Sequence, residues 1–278
     1  MLRNTILLAF IAIFISGCQL DKADSEEKPG INEEPSNNEV VNIHGQLQNI
    51  ERIDLFVDHV KNNKKDKIRV TGYTIEGDPI YQDLDYDGSK ITVKYDTTKD
   101  KFGAGEIKTY VCKGVQKQES ETETNYLLDA CPEIGSLLSI SHDVDQQDYF
   151  AFDLKYGVGK KNEINTKVQK LVKDLQNGEM VAVNDFQFSK PEMNKIYKAM
   201  ILSSYLEKKK LSNTCNKRPY VSYELDVWIN DATRHFEWSE CDKSRDGIEM
   251  SNLVLNILEV LKNNPHYQSL PEVKGHYE

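Results

Sequence analysis

The sequence predicts an α+β protein: two small helix-plus-antiparallel-sheet units, preceded by a leader and a disordered tether. Three observations predict it. Apolar residues recur at helical spacing in a few stretches and alternate at strand spacing in more of them, whereas residues 21–42 hold almost no apolar side chain before Val40. At 278 residues and 38% hydrophobic content, the chain is long enough for one large domain or two small ones.

The leader comes first. Residues 1–4 carry one cation, Arg3, residues 5–15 are almost wholly apolar, and Ile15-Ser16-Gly17 leads with small residues to Cys18. An apolar run of about a dozen residues is too short for a hydrocarbon core about 30 Å thick, so the reading is a signal peptide and not a membrane span. The Ile-Ser-Gly-Cys ending resembles the lipobox of bacterial lipoproteins. That resemblance implies diacylglycerol on the Cys18 thiol, cleavage before Cys18 and often acylation of the new amine. Two or three chains would hold the protein stably on a membrane, where one binds only marginally. The expected address is therefore the extracytoplasmic face of the cell membrane, with the bilayer as partner through the N-terminal lipid. The expected division is 1–17 signal peptide, 18–45 lipidated cysteine and acidic tether, 46–145 first α+β domain and 146–278 second α+β domain.

Charge and cysteines narrow the class. Removing residues 1–17 takes away only Arg3, so the net charge moves from −10 to −11, which argues against nucleic acid and against a folded body lying on anionic lipid. Beyond Cys18 remain Cys112, Cys131, Cys215 and Cys241, an even number without a CxxC, and export favours oxidation. Strand-like stretches 107–111 and 125–130 flank a polar stretch, residues 116–124, centred near the midpoint of Cys112 and Cys131. An antiparallel hairpin there pairs Cys112 with Cys131 and leaves Cys215 for Cys241. No cysteine or histidine pair has metal-ligand spacing, and no cofactor is implied.

In the first unit, Ile50, Ile53, Phe56, Val57 and Val60 recur at helical spacing, with Glu51 and Asp54 early and Lys61, Lys64 and Lys65 late, so a helix of about four turns is expected. Residues 67–75 alternate as a strand. Ile80, Leu84 and Tyr86 lead to Asp87-Gly88, and Ile91, Val93 and Tyr95 lead away, the pattern of a tight hairpin. Asp83-Leu84-Asp85-Tyr86-Asp87-Gly88 also matches the opening of an EF-hand loop. Lys94 stands where that loop needs a bidentate Glu, and a strand pattern follows where it needs a helix, so the hairpin reading is preferred.

Residues 53–65, Lys67-Ile68-Arg69-Val70, Tyr73-Thr74-Ile75-Glu76-Gly77-Asp78-Pro79-Ile80, Asp85-Tyr86-Asp87-Gly88, Tyr95-Asp96 and Asp100-Lys101-Phe102-Gly103 resemble a domain of unknown function found in lipoproteins of Gram-positive, Bacillus-type bacteria. The resemblance covers roughly residues 45–135. The tail, residues 267–277, is similar to the ends of other lipoproteins there. The resemblance implies an address and an architecture, and no reaction.

In the second unit, Ile164, Val168, Leu171, Val172 and Leu175 predict a helix ended by Asn177-Gly178, and residues 180–188 a strand. Ser189-Lys190-Pro191-Glu192 fits a capping box that opens a helix running through Met193, Ile196, Tyr197, Met200 and Leu206 to Lys210. Next comes a hairpin in which Ile229 is paired with Arg234, Val227 with Phe236 and Leu225 with Trp238. Its opposite face carries Glu224, Asp226, Glu237, His235 and Trp228, with Asp226 facing Glu237 and His235 facing Trp228. A last helix spans about residues 248–262, ended by Pro265.

Glu224, Asp226 and Glu237 are the sequence's own candidates for a divalent cation; the reading preferred is carboxylates held by lysines and facing water. No GxSxG, SxxK, HExxH or P-loop string occurs, and the histidines are scattered. The expected function is a non-catalytic, lipid-tethered binding or envelope-interaction module of unknown ligand. The alternative is a secreted enzyme or enzyme inhibitor whose site is assembled from scattered residues.

Overall fold

The computed structural model describes residues 36–277; the expected signal peptide, Cys18 and most of the expected tether, up to residue 35, lie outside them. Order begins earlier than composition suggests. Strand β1 (Glu39–Ile43) and strand β2 (Gln46–Gln48) form a short hairpin, with Val40 fully buried and Val41 nearly so. The predicted tether therefore ends before residue 39. Its composition averaged away one apolar strip, Val40, Val41 and Ile43, that is enough to hold a strand inside the sheet.

β1 runs parallel to β3 (Asp66–Tyr73), pairing Val40 with Val70 and Val41 with Thr71. Parallel strands need a long crossover, and residues 44–65 supply it through helix α1 (Glu51–Lys61). Ile53, Phe56 and Val60 form its buried stripe, joined by Arg52, whose Nη2 donates to Asp66 Oδ1 at 2.7 Å. The helix has three turns where four were expected. Asn63, at φ 53°, ends it in the left-handed conformation, and the lysines that follow lie beyond the cap.

β4 (Pro79–Tyr86), β5 (Ile91–Asp96) and β6 (Ile107–Cys112) complete a six-stranded sheet in the order β2-β1-β3-β4-β5-β6. The β4–β5 connection is a four-residue turn, 87–90, and not the two-residue turn that Asp-Gly suggests. Gly88 alone takes positive φ there, and Asp87 Oδ1 accepts from the N–H groups of Ser89 and Lys90. The EF-hand reading fails on the same residues: Asp83 is held by the Arg69 fork at 2.6 and 3.0 Å, and Asp85 by Lys67 at 2.6 Å.

β7 (Gly114–Glu119), β8 (Glu123–Asp129) and β9 (Ser136–Ser141) form a second, three-stranded sheet. The loop between β7 and β8 is shorter than residues 116–124, because Gln116 to Glu119 pair with Leu127 to Thr124 despite their polarity.

After a single 3-10 turn at Val144–Gln146, the rest of the chain builds a six-stranded sheet from β10 (Phe150–Val158), β11 (Asn162–Asn165), β12 (Lys170–Asp174), β13 (Met180–Asn184), β14 (Val221–Ile229) and β15 (Ala232–Ser239). Its order is β13-β12-β11-β10-β14-β15. The helix expected over residues 164–175 is instead the β11–β12 hairpin. Ile164 and Leu171 sit opposite each other in it, and Val168 is 63% exposed at its turn. A spacing of seven places two residues on one helix face or across a hairpin, and the alternation of buried Leu171, Lys173 and Leu175 is what selects the hairpin.

Helix α2 (Lys190–Leu202) opens on the Ser189/Glu192 capping box and stops a turn or two before Lys210, with Ser204 at φ 44°. Helix α3 (Arg245–Asn263) starts earlier than expected, capped by Ser244, and Pro265 opens a short turn, α4 (Pro265–Gln268), in place of a plain stop. The fold is α+β, mostly antiparallel sheet with a few helices. No described helix is long and apolar enough to cross a membrane.

Strands before residue 142 pair only among themselves, as do those after residue 149, yet one buried apolar cluster runs through both halves. A chain of polar contacts joins them too. Asp54 of α1 accepts from Tyr126 Oη at 2.7 Å and lies 3.0 Å from Lys117 Nζ; Lys117 and Lys198 of α2 both reach Glu119, at 2.9 and 2.8 Å. Lys198 and Lys117 hold the Glu119 carboxyl down to about 2. Asp54→Ala should therefore cost about 1–2 kcal/mol in urea unfolding, by stranding the Tyr126 hydroxyl. Tyr126→Phe should add almost nothing in that background; additive losses would show that the two residues are not partners.

Candidate functional site

The four cysteines of the described residues are joined in two disulfides. Cys112 Sγ lies 2.03 Å from Cys131 Sγ, and Cys215 Sγ lies 2.05 Å from Cys241 Sγ. The register that sets Gly114 opposite Asp129 places residues 112 and 131 opposite each other when extended by two. The first bridge thus closes the open end of a hairpin, while Cys112 itself ends β6 and fixes the first sheet to the second.

The outer face of the last sheet gathers the carboxylates singled out in the sequence. Cross-strand pairing sets two rows, one of Lys170, Asn165, Asp153, Asp226 and His235, the other of Val172, Glu163, Lys155, Glu224 and Glu237. The β14–β15 register is two residues from the expected one, because the connection is Asn230-Asp231 and pairs Ile229 with Ala232. Asn230, at φ 48°, is clamped there: its N–H donates to the Tyr149 carbonyl at 2.8 Å and its Oδ1 accepts from Tyr149 N at 3.2 Å. An even shift leaves every side chain on its face and changes only its partner. Asp226 accordingly faces His235, Glu224 faces Glu237, Val227 faces Arg234 and Trp228 faces Thr233.

Two of the three predicted carboxylates have a lysine neighbour, and the third, Asp226, has an imidazole. Lys160, on the tight β10–β11 turn, reaches Glu224 Oε2 at 2.7 Å and also Glu237 Oε1; Lys155 reaches Glu224 Oε1 at 3.1 Å; His235 Nδ1 lies 2.7 Å from Asp226 Oδ1. The hydrogen bond from Lys160 draws the pKa of both Glu224 and Glu237 down. Among the described residues, no group of three or more His, Cys, Asp or Glu is placed to hold a metal ion. Lys167 Nζ sits 4.3 Å from the Trp228 ring, so the aromatic surface of this face is also occupied by the chain's own cation.

Asp153 was not anticipated. It is 8% exposed, its Oδ1 has no hydrogen-bond partner, and Lys155 Nζ stands 3.9 Å from Oδ2. Burial, with the charges of Glu163, Asp226 and Glu224, pushes its carboxyl up to about 6 against the pull of Lys155. The signal that finds it is a period of two in residues 150–158, where Phe150, Phe152, Leu154 and Tyr156 alternate with Ala151, Asp153, Lys155 and Gly157.

A cleft of about 760 Å³ opens elsewhere, between the β1–β2 turn, the end of β9, α2 and the β14–β15 turn. His44, Ser141, Tyr197, Tyr205 and Arg234 are among its lining residues. Tyr205 is 2% exposed, and its hydroxyl, beside that of Tyr197, makes no hydrogen bond of good geometry. Arg234 is steadied by its Nε, which donates to the Leu206 carbonyl at 2.9 Å. Its lining is about as polar as it is apolar, with Leu47, Ile140, Ile201 and Leu206 set among Asn42, Gln46, Gln147 and Asp231.

Two histidine pairs complete the chemistry. His59 Nδ1 meets Asp66 Oδ2 at 2.8 Å, but its Nε2 faces Lys64 Nζ at 3.0 Å, where a catalytic pair would present a nucleophile. His142 Nε2 meets Thr124 Oγ1 at 3.2 Å, and both residues are 2% exposed, so that hydroxyl is closed to substrate.

Residues 37–127 match the family described as Domain of unknown function (DUF4362). The DUF4362 segment takes in the first sheet, α1, β7 and most of β8, starting at β1 and stopping short of Cys131. No curated protein and no solved structure matches the chain.

Because the Asp153 carboxyl is raised from 3.8 to about 6, its ionisation in the folded state costs stability that is absent below pH 4, grows between pH 4 and 6, and is fully present above 6. Asp153→Asn should raise stability above pH 6 by about 1–2 kcal/mol, with the gain fading to nothing near pH 4. Urea titrations at pH 4, 5, 6 and 7.5 check this; a gain independent of pH would rule out the titration.

Proposed function

We propose that this chain is a lipid-anchored binding protein of the extracytoplasmic membrane face, two α+β units carried on a tether, with the 760 Å³ cleft as its ligand seat and no chemistry of its own. The observation that carries the binding role is the cleft, where the buried Tyr205 hydroxyl and the steadied Arg234 stand in a lining of mixed polar and apolar residues. The anchor rests on the leader ending in Ile15-Ser16-Gly17-Cys18. Between Cys18 and Ser36 lie residues 19–35, which take the part of the tether in this reading. Binding is favoured over catalysis because His59 is answered by Lys64 and the Thr124–His142 pair is sealed.

Cys18→Ala should leave a precursor that takes up no labelled palmitate and stays out of the detergent phase; a variant that still labels removes the anchor. Native mass spectrometry of the detergent-extracted wild-type protein should find an adduct of discrete mass, lost in Ala232→Trp, which fills the cleft from β15. Spectra that are the same for both proteins would remove the ligand seat.

A further inference from the structure

The alternation that makes residues 170–174 a strand also turns a lysine inward. Leu171, Lys173 and Leu175 share the core side, and Lys173 is 8% exposed. A lysine so covered is normally paired, because an ammonium taken out of water loses hydration that only a counter-charge and acceptors restore. Other covered cations here follow that rule: Arg52 has Asp66 at 2.7 Å, and Lys209 has Glu249 at 2.9 Å. Lys173 makes no ion pair and no hydrogen bond among the described residues; its Nζ lies 4.5 Å from the centroid of the Tyr267 ring. A ring face attracts the charge but leaves its three N–H donors without an oxygen acceptor.

Lys173 lines a pocket of about 140 Å³, together with Tyr156, Asn162, Asp174, Tyr267 and, from the last turn of α3, Lys262. Lys262 is exposed, and it too makes no ion pair among the described residues. The one carboxylate of the lining is already committed, since Asp174 Oδ2 accepts from Tyr277 Oη at 2.6 Å and Oδ1 from the Gln176 N–H at 3.0 Å. Two cations therefore face the pocket, and neither has its counter-charge in the protein. The C-terminal tail closes one side. The N–H groups of Lys274 and Gly275 both donate to the Leu175 carbonyl, at 3.0 and 3.1 Å, which lays Val273 into the wall. Only glycine fits at 275, where a Cβ would collide with the Gln176 carbonyl.

We propose that this pocket binds a free tetrahedral oxyanion of the phosphate or sulfate class, with Lys173 as its covered counter-charge and Lys262 as the cation at its rim. Size selects the ion. At about 30 Å³ for each water, the pocket has the volume of about four or five waters, which suits an ion of five heavy atoms and excludes a nucleotide. Donor placement selects it as well: ammonium groups from a strand and a helix, with the Tyr156 and Tyr267 hydroxyls beside them, call for acceptor oxygens in several directions, which a tetrahedron offers. Lysine binds such an ion as a compact point charge. The site is separate from the 760 Å³ cleft and shares no lining residue with it.

Equilibrium dialysis of the detergent-extracted full chain against radiolabelled phosphate should find one ion per chain. Sulfate should displace it, and chloride at equal ionic strength should not. Lys173→Met keeps the stem and removes the charge; it should weaken binding by roughly tenfold or more, the loss of one charge-assisted bond. The same variant should not lower the thermal midpoint of the phosphate-free chain, as loss of a purely structural lysine would. Lys262→Gln should weaken binding several-fold, and Lys170→Gln, on the other face of β12 and paired there with Glu163, should leave it unchanged. Phosphate that does not bind, that chloride displaces as well as sulfate does, or that binds Lys173→Met as it binds the wild type overturns the proposal. So does unaltered binding by Lys262→Gln, whose exposed side chain the fold does not need.

Discussion

The contact on which the arrangement most depends is the run of charges from Asp54 through Lys117 and Glu119 to Lys198. It draws on a helix of the first sheet, a strand of the second and a helix that packs on the third. Strand pairing cannot do that work, since no described strand crosses between the halves. Apolar packing supplies the energy of the junction, being roughly proportional to area removed from water, but it is indifferent to direction. Lysines reaching a carboxylate from two sides fix which faces meet. The cleft lies along the same junction, so its shape is set by how α2 and the β1–β2 hairpin are held, and Gln48 Nε2 on Glu207 Oε1 at 2.6 Å is a second such tie.

Much of the fold was legible because its signals are local. The capping box at Ser189 and Glu192 and the stripe of Ile53, Phe56 and Val60 are each read within a few residues. What misled were signals with two physical solutions. Ile164 and Leu171 satisfy a helix and a hairpin equally well, and only the burial of Leu171 and Leu175 on one side of a strand separates them. Loop length between β14 and β15 could not be read from residues 230–233, because the decisive contact, Asn230 on Tyr149, comes from the residue just before β10, far away in sequence.

The candidate site was legible in part for the same reason. Glu224, Asp226 and Glu237 were found as one face of a hairpin, and a two-residue slip preserves a face. Their cations could not be found that way: Lys155 and Lys160 belong to β10 and its turn, 64 to 77 residues away along the chain. The cleft was invisible, since its walls come from four separated segments and its polar groups, such as Tyr205, look in sequence like ordinary core aromatics.

The parallel ladder between β1 and β3 has a mechanical consequence. β1 is the first strand of the described chain and lies inside its sheet, flanked by β2 and β3. A pull arriving from residue 36 acts along the strand axis and loads the β1–β3 hydrogen bonds together, in shear. Bonds loaded in parallel must fail as a group, whereas an edge hairpin pulled from its end is unzipped one bond at a time. Tension applied along that axis at residue 36 would thus meet a joint loaded in shear, and the crossover through α1 is what makes that geometry available.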